Sequence, residues 1–428
     1  MISALPSYDE AAALVADYAA RLAMLRPSVQ SVSLASAAGR VLARPLCADQ
    51  DQPPFARSTR DGFACRAAEA SKHVPLRLVG ATRAGDAPAG PLPRGAAWEI
   101  MTGAPVPKGA DAVMMIEHVT IDHAKVHGQQ VQLLPSRKLK PGESIVAKGA
   151  QACKGDELLP VGTVIHSAQI ALAATCGYST LQVFARPRVA ILATGDELVP
   201  VDTLPAPGQI RNSNAPMLAA MVAAAGGEAW VLPTAADTAE ALDNALAQTA
   251  EAEMLILSGG VSAGKFDLVE PALARAGARF RFTGVRIQPG KPLVFGHLLP
   301  KRSSTAPGVR RAQRPFFGLP GNPVSSAVTF LLFAAPVLAA LAGSRVTGPR
   351  FALARLSADT DKHGKPGLTR FLPATCTFGG ASNLPEVNLV SWQGSGDIAA
   401  LARSNCFLVV PEETPSLEAG AIVRILLN

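Results

Sequence analysis

RVAILATGDEL, at residues 188–198, is the stretch that decides the fold. A run suited to a buried strand ends directly in a threonine, a glycine and two carboxylates. Two further runs of the same kind follow, MLILSGG at 254–260 and FFGLPGN at 316–322. Helical patterns near 215–225 and 238–250 separate these strand-like runs. The alternation predicts a parallel sheet wrapped by helices, and therefore a three-layer α/β domain.

The sequence on either side of this domain follows other patterns. Residues 8–25 fit an amphipathic helix with Ser7 as its cap, and its apolar side chains recur at helical spacing, at Leu14, Tyr18, Leu22 and Leu25. Short β-type runs broken by proline and glycine precede the α/β domain and also follow it. We therefore predict a multi-domain α/β plus β protein: a helical arm or linking domain (1–45 and 150–186), an inserted β module (46–149), the α/β domain (187–345) and a C-terminal β barrel-like domain (346–428).

Composition and charge narrow the class of protein. Hydrophobic residues make up 48% of the 428 residues and charged residues 17%, which favours well-filled cores over disorder. The net charge of +7 favours anionic partners, and a phosphorylated small molecule fits as well as nucleic acid. Basic residues concentrate between 301 and 314 without interleaved aromatic residues, so we interpret this run as a solvated insertion and expect no nucleic-acid partner.

Cysteine spacing and the apolar segments predict the cellular location of the protein. The six cysteines include no C-x-x-C pair, which favours a reducing, cytoplasmic setting. The start of the chain, MISALPSYDEAAALV, has no basic stretch before an apolar core and does not fit a secretory signal. The most apolar segment, 327–342, contains Pro336 and is shorter than the roughly 20 residues that span a bilayer, so we predict a buried helix and no membrane association.

Four glycine-rich loops fall where ligands bind in an α/β sheet, at strand ends that lead into helices. They are residues 194–197 (TGDE), 258–264 (SGGVSAG), 288–292 (QPGKP) and 318–323 (GLPGNP). Glycines allow backbone N–H groups to approach phosphate oxygens, and Lys291 adds a cation. Any one loop could be simple turn chemistry, but four after successive strands predict an anion-binding cleft. With carboxylates positioned for a divalent cation, the cleft suits a phosphate-ester or pyrophosphate substrate.

The loops also carry a resemblance. In order they read T-G-D-E-L, S-G-G-V-S-x-G-x-x-D, P-G-K-P and G-L-P-G-N-P-V-S, and matching segments outside them are DGFA at 61–64, IMTGAPVPKGADAV at 100–113, QIRNSN at 209–214 and QGSG at 393–396. Together these motifs resemble those of the MoeA/gephyrin family of molybdenum insertases, over nearly the whole chain. The resemblance implies a transferase of molybdenum-cofactor biosynthesis, which inserts molybdate into adenylylated molybdopterin with release of AMP.

The resemblance also implies partners and site residues. It implies Mg²⁺ as cofactor and a homodimer in which Asp61 serves the partner's cleft. It adds the molybdopterin adenylyltransferase and recipient molybdoenzymes as possible partners. The catalytic candidates are Asp61, Thr102, Glu197, Asp267 and Lys291, and the candidate metal ligands are Glu197, Asp237 and Asp267. The candidate pterin-nucleotide residues are Thr194, Gly195, Asp196, Ser258, Gly259, Gly260, Ser262, Gly264, Pro289, Gly290, Gly318, Pro320, Gly321, Asn322 and Pro323.

One departure from the family pattern keeps alternatives open. Many members have G-E-D after the β module, where this chain has Gly149, Ala150 and Gln151. The loss of both acids motivates a second hypothesis, a non-catalytic binder or carrier of the pterin. A third hypothesis is the sister reaction, adenylylation of the pterin by ATP, whose enzymes normally lack the flanking β domains. Tungstate preference and the identity of the recipient enzymes are not readable from the sequence.

Overall fold

The computed structural model describes residues 5–25, 27–87, 89–123, 128–260, 268–299, 313–360, 367–377 and 384–428. The chain divides into two compact units. The first unit comprises Met1–Ala43, Gly162–His166 and Thr180–Asn428, and the second comprises Arg44–Val161 and Ser167–Ser179. The second unit is therefore inserted into the first along the chain. The finer limits of the four domains remain a prediction.

The N-terminal helix of the first unit, α1 (Tyr8–Leu22), begins at a capping box. The Ser7 hydroxyl accepts a hydrogen bond from the Glu10 backbone N–H, and the Glu10 carboxylate accepts one from the Ser7 N–H. The buried face consists of Tyr8, Ala11, Val15, Tyr18, Ala19 and Leu22. The predicted helix is confirmed, but Leu14 lies at the rim of this face and is 42% exposed, and Leu25 lies beyond the end of the helix.

The second unit is built mainly of short strands. Two strands of the first unit flank it along the chain, β1 (Val29–Ser33) and β12 (Thr180–Phe184). Its own elements are β2 (Leu46–Cys47), β3 (Arg57–Ser58), β4 (Gly62–Cys65), α2 (Ala67–Ala70), β5 (Leu76–Thr82), β6 (Ala96–Ile100), β7 (Ala112–Met115), β8 (Val119–Asp122), β9 (Gln130–Leu133), β10 (Ile145–Val146), β11 (Glu157–Leu159) and α3 (Ser167–Thr175). Six strands form a curled sheet in the order β7-β4-β6-β5-β9-β8. Its apolar face covers a core that includes Phe63, Leu76 and Met114, which confirms the predicted β module.

The chain returns to the first unit through a strand. The sequence predicted that residues 150–186 join residues 1–45 in one linking domain. In the structure α3 is grouped with the second unit. The return is made by β12, which pairs antiparallel with β1 from Val29↔Phe184 to Ser33↔Thr180.

The central part of the first unit contains the predicted α/β domain. Its elements are β13 (Arg188–Ala193), β14 (Leu198–Val199), β15 (Ile210–Arg211), α4 (Asn214–Ala224), β16 (Glu228–Val231), α5 (Ala239–Gln248), β17 (Met254–Ser258), α6 (Val269–Arg275), β18 (Ala278–Thr283), β19 (Ile287–Gln288), β20 (Val294–Leu298), β21 (Arg314–Leu319), α7 (Pro323–Thr329) and α8 (Ala335–Leu341). The sheet order is β16-β13-β17-β21-β20-β18. The first four strands are parallel, whereas β20 runs antiparallel to both of its neighbours. The predicted parallel sheet was therefore wrong at β20, because a short apolar run carries no signal of strand direction.

Alternate side chains of the central strands enter two separate cores. Ile191 and Ile256 face a core shared with α1, α4, α7 and α8, while Leu192 and Leu257 face a core shared with α5 and α6. This period of two is what a sheet with helices on both faces requires. The predicted three-layer arrangement is therefore confirmed.

The most apolar helix runs from Pro323 to Leu341, and 78% of its most apolar window is buried inside the protein. Its length and composition alone would allow a membrane span, but its burial is that of a core helix. A π-helical turn at Phe330–Ala334 interrupts it just before Pro336. Proline cannot donate to the carbonyl four residues earlier, and a wider turn accommodates the missing bond. The predicted buried helix is confirmed.

The C-terminal strands close on themselves. The elements are β22 (Phe351–Leu356), β23 (Thr369–Thr377), β24 (Glu386–Leu389), α9 (Ile398–Arg403), β25 (Cys406–Val410) and β26 (Ile422–Leu427). The pairings β22–β26, β26–β25, β25–β23, β23–β24 and β24–β22 form a complete ring. This five-stranded barrel confirms the predicted C-terminal domain, and β19 adds to it by pairing with β23.

One part of the basic run at 301–314 was interpreted wrongly. Most of the run lies outside the described residues, but Arg314 begins β21 instead of lying in a solvated insertion. Its guanidinium donates to the backbone carbonyl of Thr249, and burial lowers its pKa. Arg314 therefore fixes the start of a core strand.

Candidate functional site

Four parallel strands of the central sheet end at one edge, and each end leads into a loop. Residues 194–197 follow β13, 232–237 follow β16, 258–260 follow β17 and 320–323 follow β21. We had expected the PGKP loop to follow a strand of this sheet as well. It follows β19 instead, which belongs to the barrel sheet. It leads into β20, whose first residue pairs with Gly318. Since β20 is antiparallel to β21, this loop still arrives at the same edge.

The glycines after β17 lie directly against the end of β13. Gly259 has φ +92° and Gly260 has φ +64°, both in the left-handed region that favours glycine. A Cβ on Gly259 would lie 2.7 Å from the carbonyl oxygen of Thr194, and one on Gly260 would lie 2.8 Å from the Thr194 hydroxyl. The Thr194 N–H donates to the carbonyl of Ser258 at 3.1 Å. Only glycine fits this close approach of the two loops.

Carboxylates project from the loops after β13 and β16. The Asp237 N–H donates to the Asp196 carboxylate at 3.0 Å, and the Asp196 N–H lies 3.4 Å from the Asp237 carboxylate. Both side chains are exposed, as is the neighbouring Glu197. The reciprocal bonds hold the two loops together and keep their carboxylates at the sheet edge. Among the described residues no three His, Cys, Asp or Glu side chains are arranged to hold a metal ion, and Asp267 lies outside those residues.

An asparagine that our sequence analysis did not select lies among these loops. Asn214 is the first residue of α4, and its amide nitrogen donates to the Ser258 hydroxyl at 2.9 Å and to the Gly321 carbonyl at 2.6 Å. One side chain thus joins the loops after β17 and β21. The only signal in the sequence is its place at the end of QIRNSN, which indicates no contact with either loop.

The loop after β21 is supported by the barrel domain. The Asn322 amide donates to the Ser395 hydroxyl at 2.8 Å, and the Val324 N–H donates to the Ser395 carbonyl at 3.1 Å. The Ser326 hydroxyl closes the loop from within by donating to the Pro320 carbonyl at 2.6 Å. The QGSG segment therefore positions the GNP loop.

The PGKP loop presents one exposed ammonium group, that of Lys291. Its backbone is fixed, because the Lys291 carbonyl accepts from the N–H groups of Val285 and Leu293, each at 3.0 Å. The loop turns at a cis Gln288–Pro289 bond. A cation on a fixed loop at this edge suits an anionic ligand.

Two of the predicted catalytic residues meet in the second unit. One oxygen of the Asp61 carboxylate accepts from the Thr102 N–H at 2.6 Å and from the Thr102 hydroxyl at 2.8 Å. These bonds, the backbone bond first, hold the pKa of Asp61 below its usual range. Both residues are exposed. Asp61 is therefore an oriented carboxylate that stays charged in mildly acidic solution.

Of the remaining candidates, Ser262 and Gly264 lie outside the described residues, as Asp267 does. Gln151, at the position of the missing acids, is exposed, and its N–H donates to the Gln52 carbonyl at 2.8 Å.

Three family models match successive parts of the chain. Residues 6–177 match the MoeA N-terminal region (domain I and II), residues 190–340 match a probable molybdopterin binding domain, and residues 355–427 match the MoeA C-terminal region (domain IV). The middle match contains the loops at the edge of the central sheet.

Relatives of known name match nearly the whole chain. A molybdopterin molybdenumtransferase from Bacillus subtilis is 34% identical over 408 residues, which is 92% of this chain and 89% of that protein. One from Nostoc sp. is 33% identical, over 92% of this chain and 88% of that protein. A crystal structure of the molybdopterin biosynthesis MoeA protein from Pyrococcus horikoshii OT3 superposes with a TM-score of 0.77 at 25% identity, covering 99% of this chain and all of that one. The chain therefore belongs to the MoeA family of molybdopterin molybdenumtransferases.

Proposed function

We propose that this protein inserts molybdate into adenylylated molybdopterin and releases AMP. The observation that carries the proposal is the meeting of glycine loops and carboxylates at one edge of the central sheet. Gly259 and Gly260 lie against Thr194, while Asp196 and Asp237 tie the neighbouring loops. This combination suits a ligand that has both phosphates and an associated cation. The names of the relatives, at 33–34% identity, support the same activity.

Binding and orientation are the contributions that the chain's residues can make. The backbone N–H groups of Gly260, Gly321 and Asn322 would hold the pyrophosphate, and Lys291 would offset part of its charge. Asn322, fixed by Ser395, would limit how the nucleotide lies across the loop. Molybdate then exchanges oxo ligands for the two dithiolene sulfurs, and hydrolysis of the P–O–P link releases AMP. Such a site accelerates the reaction mainly by position and electrostatics.

The described carboxylates fit Mg²⁺ only in part. Mg²⁺ usually keeps several waters and takes one or two carboxylates together with substrate phosphates, so a preformed protein cage is not required. Glu197 and Asp237 would hold the ion from this edge, with Asp267 as the third predicted ligand. Once bound, the ion would neutralise charge on the phosphates. We include Mg²⁺ in the proposal as a cofactor that arrives with the nucleotide.

A homodimer is also part of the proposal, with Asp61 and Thr102 acting on the partner's nucleotide. The oriented, charged carboxylate of Asp61 suits a group that positions a cation or a proton donor. The non-catalytic carrier is not favoured, because the relatives named as transferases match all of the chain's main regions. Loss of the acids at Ala150 and Gln151 is its only support.

The test mixes purified protein with adenylylated molybdopterin, molybdate and Mg²⁺, and follows AMP release together with reconstitution of a cofactor-free molybdoenzyme. We expect molybdate-dependent AMP and active enzyme. Glu197→Gln should abolish AMP release. Glu228→Gln is the matched control, because Glu228 is an exposed carboxylate at the first residue of β16, the opposite edge of the sheet. Binding of the pterin nucleotide by the wild type without AMP release at any molybdate concentration would make the protein a carrier.

A further inference from the structure

Asn214 has a buried side-chain amide whose nitrogen is hydrogen-bonded within the described residues and whose oxygen is not. Its side chain is 9% exposed, and its nitrogen donates to the Ser258 hydroxyl and to the Gly321 carbonyl. A carbonyl oxygen can only accept, so the group facing Gly321 must be the NH₂. This fixes the orientation of the amide. The Asn214 oxygen must then point away from both loops that the nitrogen joins.

That oxygen has no hydrogen-bond partner in the described part of the chain, and neither does the hydroxyl oxygen of Thr194, whose residue is 4% exposed. Buried polar atoms are nearly always paired, and an unpaired one costs roughly 1–3 kcal/mol. Both atoms belong to residues that contact Ser258 or the glycines after it. Two unpaired polar atoms beside the same loop indicate a place where a ligand supplies the missing bonds.

Asn212 shows that the unpaired oxygen is not needed to build the helix. The Asn212 side-chain oxygen accepts from the Ala215 N–H in the first turn of α4 at 3.1 Å, and its nitrogen donates to the Thr234 hydroxyl at 3.3 Å. Both ends of that amide are used inside the protein. Asn214, two residues later, uses only its nitrogen.

The pyrophosphate of the pterin nucleotide cannot satisfy the Asn214 oxygen, because it is esterified at both ends, is fully deprotonated at neutral pH and therefore only accepts. The atom that pairs with it must carry an N–H or an O–H. Resting on the proposed function, we propose that Asn214 is a binding and positioning residue. Its nitrogen joins the loops at Ser258 and Gly321, and its oxygen accepts a hydrogen bond from the non-phosphate part of the pterin nucleotide. Such donors are the ring N–H and amino groups and the ribose hydroxyls.

The experiment measures binding to the full-length protein by calorimetry, with three probes: pyrophosphate, AMP and molybdopterin. Asn214→Ala should weaken AMP or molybdopterin, whichever supplies the donor, by about tenfold or more. Because the variant also loses the two bonds that join the loops, pyrophosphate affinity should fall as well, but by less. Asn212→Ala is the matched control, because it loses bonds that are internal to the protein. It should affect all three probes equally.

Equal weakening of all three probes in Asn214→Ala would overturn the proposal, because the residue would then only support the loops. Unchanged affinity for all three would overturn it as well. If the alanine variant does not fold, Asn214→Ser retains a smaller polar group, and the same comparison between probes applies. The proposed function fails separately, if the wild type binds the pterin nucleotide but never releases AMP.

Discussion

Replacement of Gly259 by alanine tests whether the two loops at the sheet edge lie as close as the structure places them. Gly259 has φ +92°, and the new methyl group would lie 2.7 Å from the Thr194 carbonyl oxygen, which belongs to the backbone and cannot rotate away. The left-handed conformation costs alanine roughly 1–2 kcal/mol. Relief of the overlap costs roughly 1–3 kcal/mol more, as in overpacked cores. We therefore expect a loss of roughly 2–5 kcal/mol in the free energy of unfolding.

Gly226 provides the matched control. Its φ is +88°, and a Cβ there would meet no atom within 4 Å, so Gly226→Ala should cost only the conformational part, roughly 1–2 kcal/mol. Urea unfolding of both variants measures the difference, and AMP release shows its effect on the site. We expect Gly259→Ala to lose most activity and Gly226→Ala to keep it. Equal unfolding midpoints and equal activities would refute the close contact with Thr194.

Three other predictions follow from side-chain environments. Thr102→Val removes one of the two bonds that lower the Asp61 pKa, so that pKa rises and the acid limb of the pH–activity profile should move to higher pH. If the acid limb does not move, the ionisation of Asp61 does not control the reaction. Phe333→Ala empties a fully buried position and should cost ~3–5 kcal/mol in urea unfolding, and a loss below ~1 kcal/mol would contradict its packing. In native protein at pH 8, a thiol reagent should modify the exposed Cys153 first. Burial raises the pKa of Cys65 to about 12, so early modification of Cys65 would contradict that burial.

The sequence predicted the strand ends of the site because those loops carry their own chemistry. T-G-D-E and S-G-G combine residues that break a strand with residues that bind anions, and both lie at the expected sheet edge. The prediction failed where pairing over long distances decides the structure. Nothing in the run Leu293–Phe295 distinguishes a parallel strand from the antiparallel β20. The same limit explains why the strand before the PGKP loop, β19, was assigned to the central sheet although it pairs with β23 of the barrel.

Asn214 shows a second limit. Asparagine is common near helix starts, and the Asn212 side chain accepts a hydrogen bond from the first turn of α4. The importance of Asn214 depends on Ser258 and Gly321, which lie 44 and 107 residues further along the chain. Local patterns cannot report such contacts. Contacts in the folded chain were needed to place this residue in the candidate site.

The packing of α1 has a consequence for how the protein is made. Tyr8 at the start of this helix contacts the rings of Phe333 and Phe371. At typical rates of synthesis, roughly 5–20 residues per second, the helix leaves the ribosome more than ten seconds before those rings exist. During that time the whole inserted unit is translated, and the apolar face of α1 lacks these two packing partners. Until Phe333 and Phe371 have been made, α1 lacks the rings that cover it in the folded protein, so the unit that contains it can complete its packing only late in synthesis.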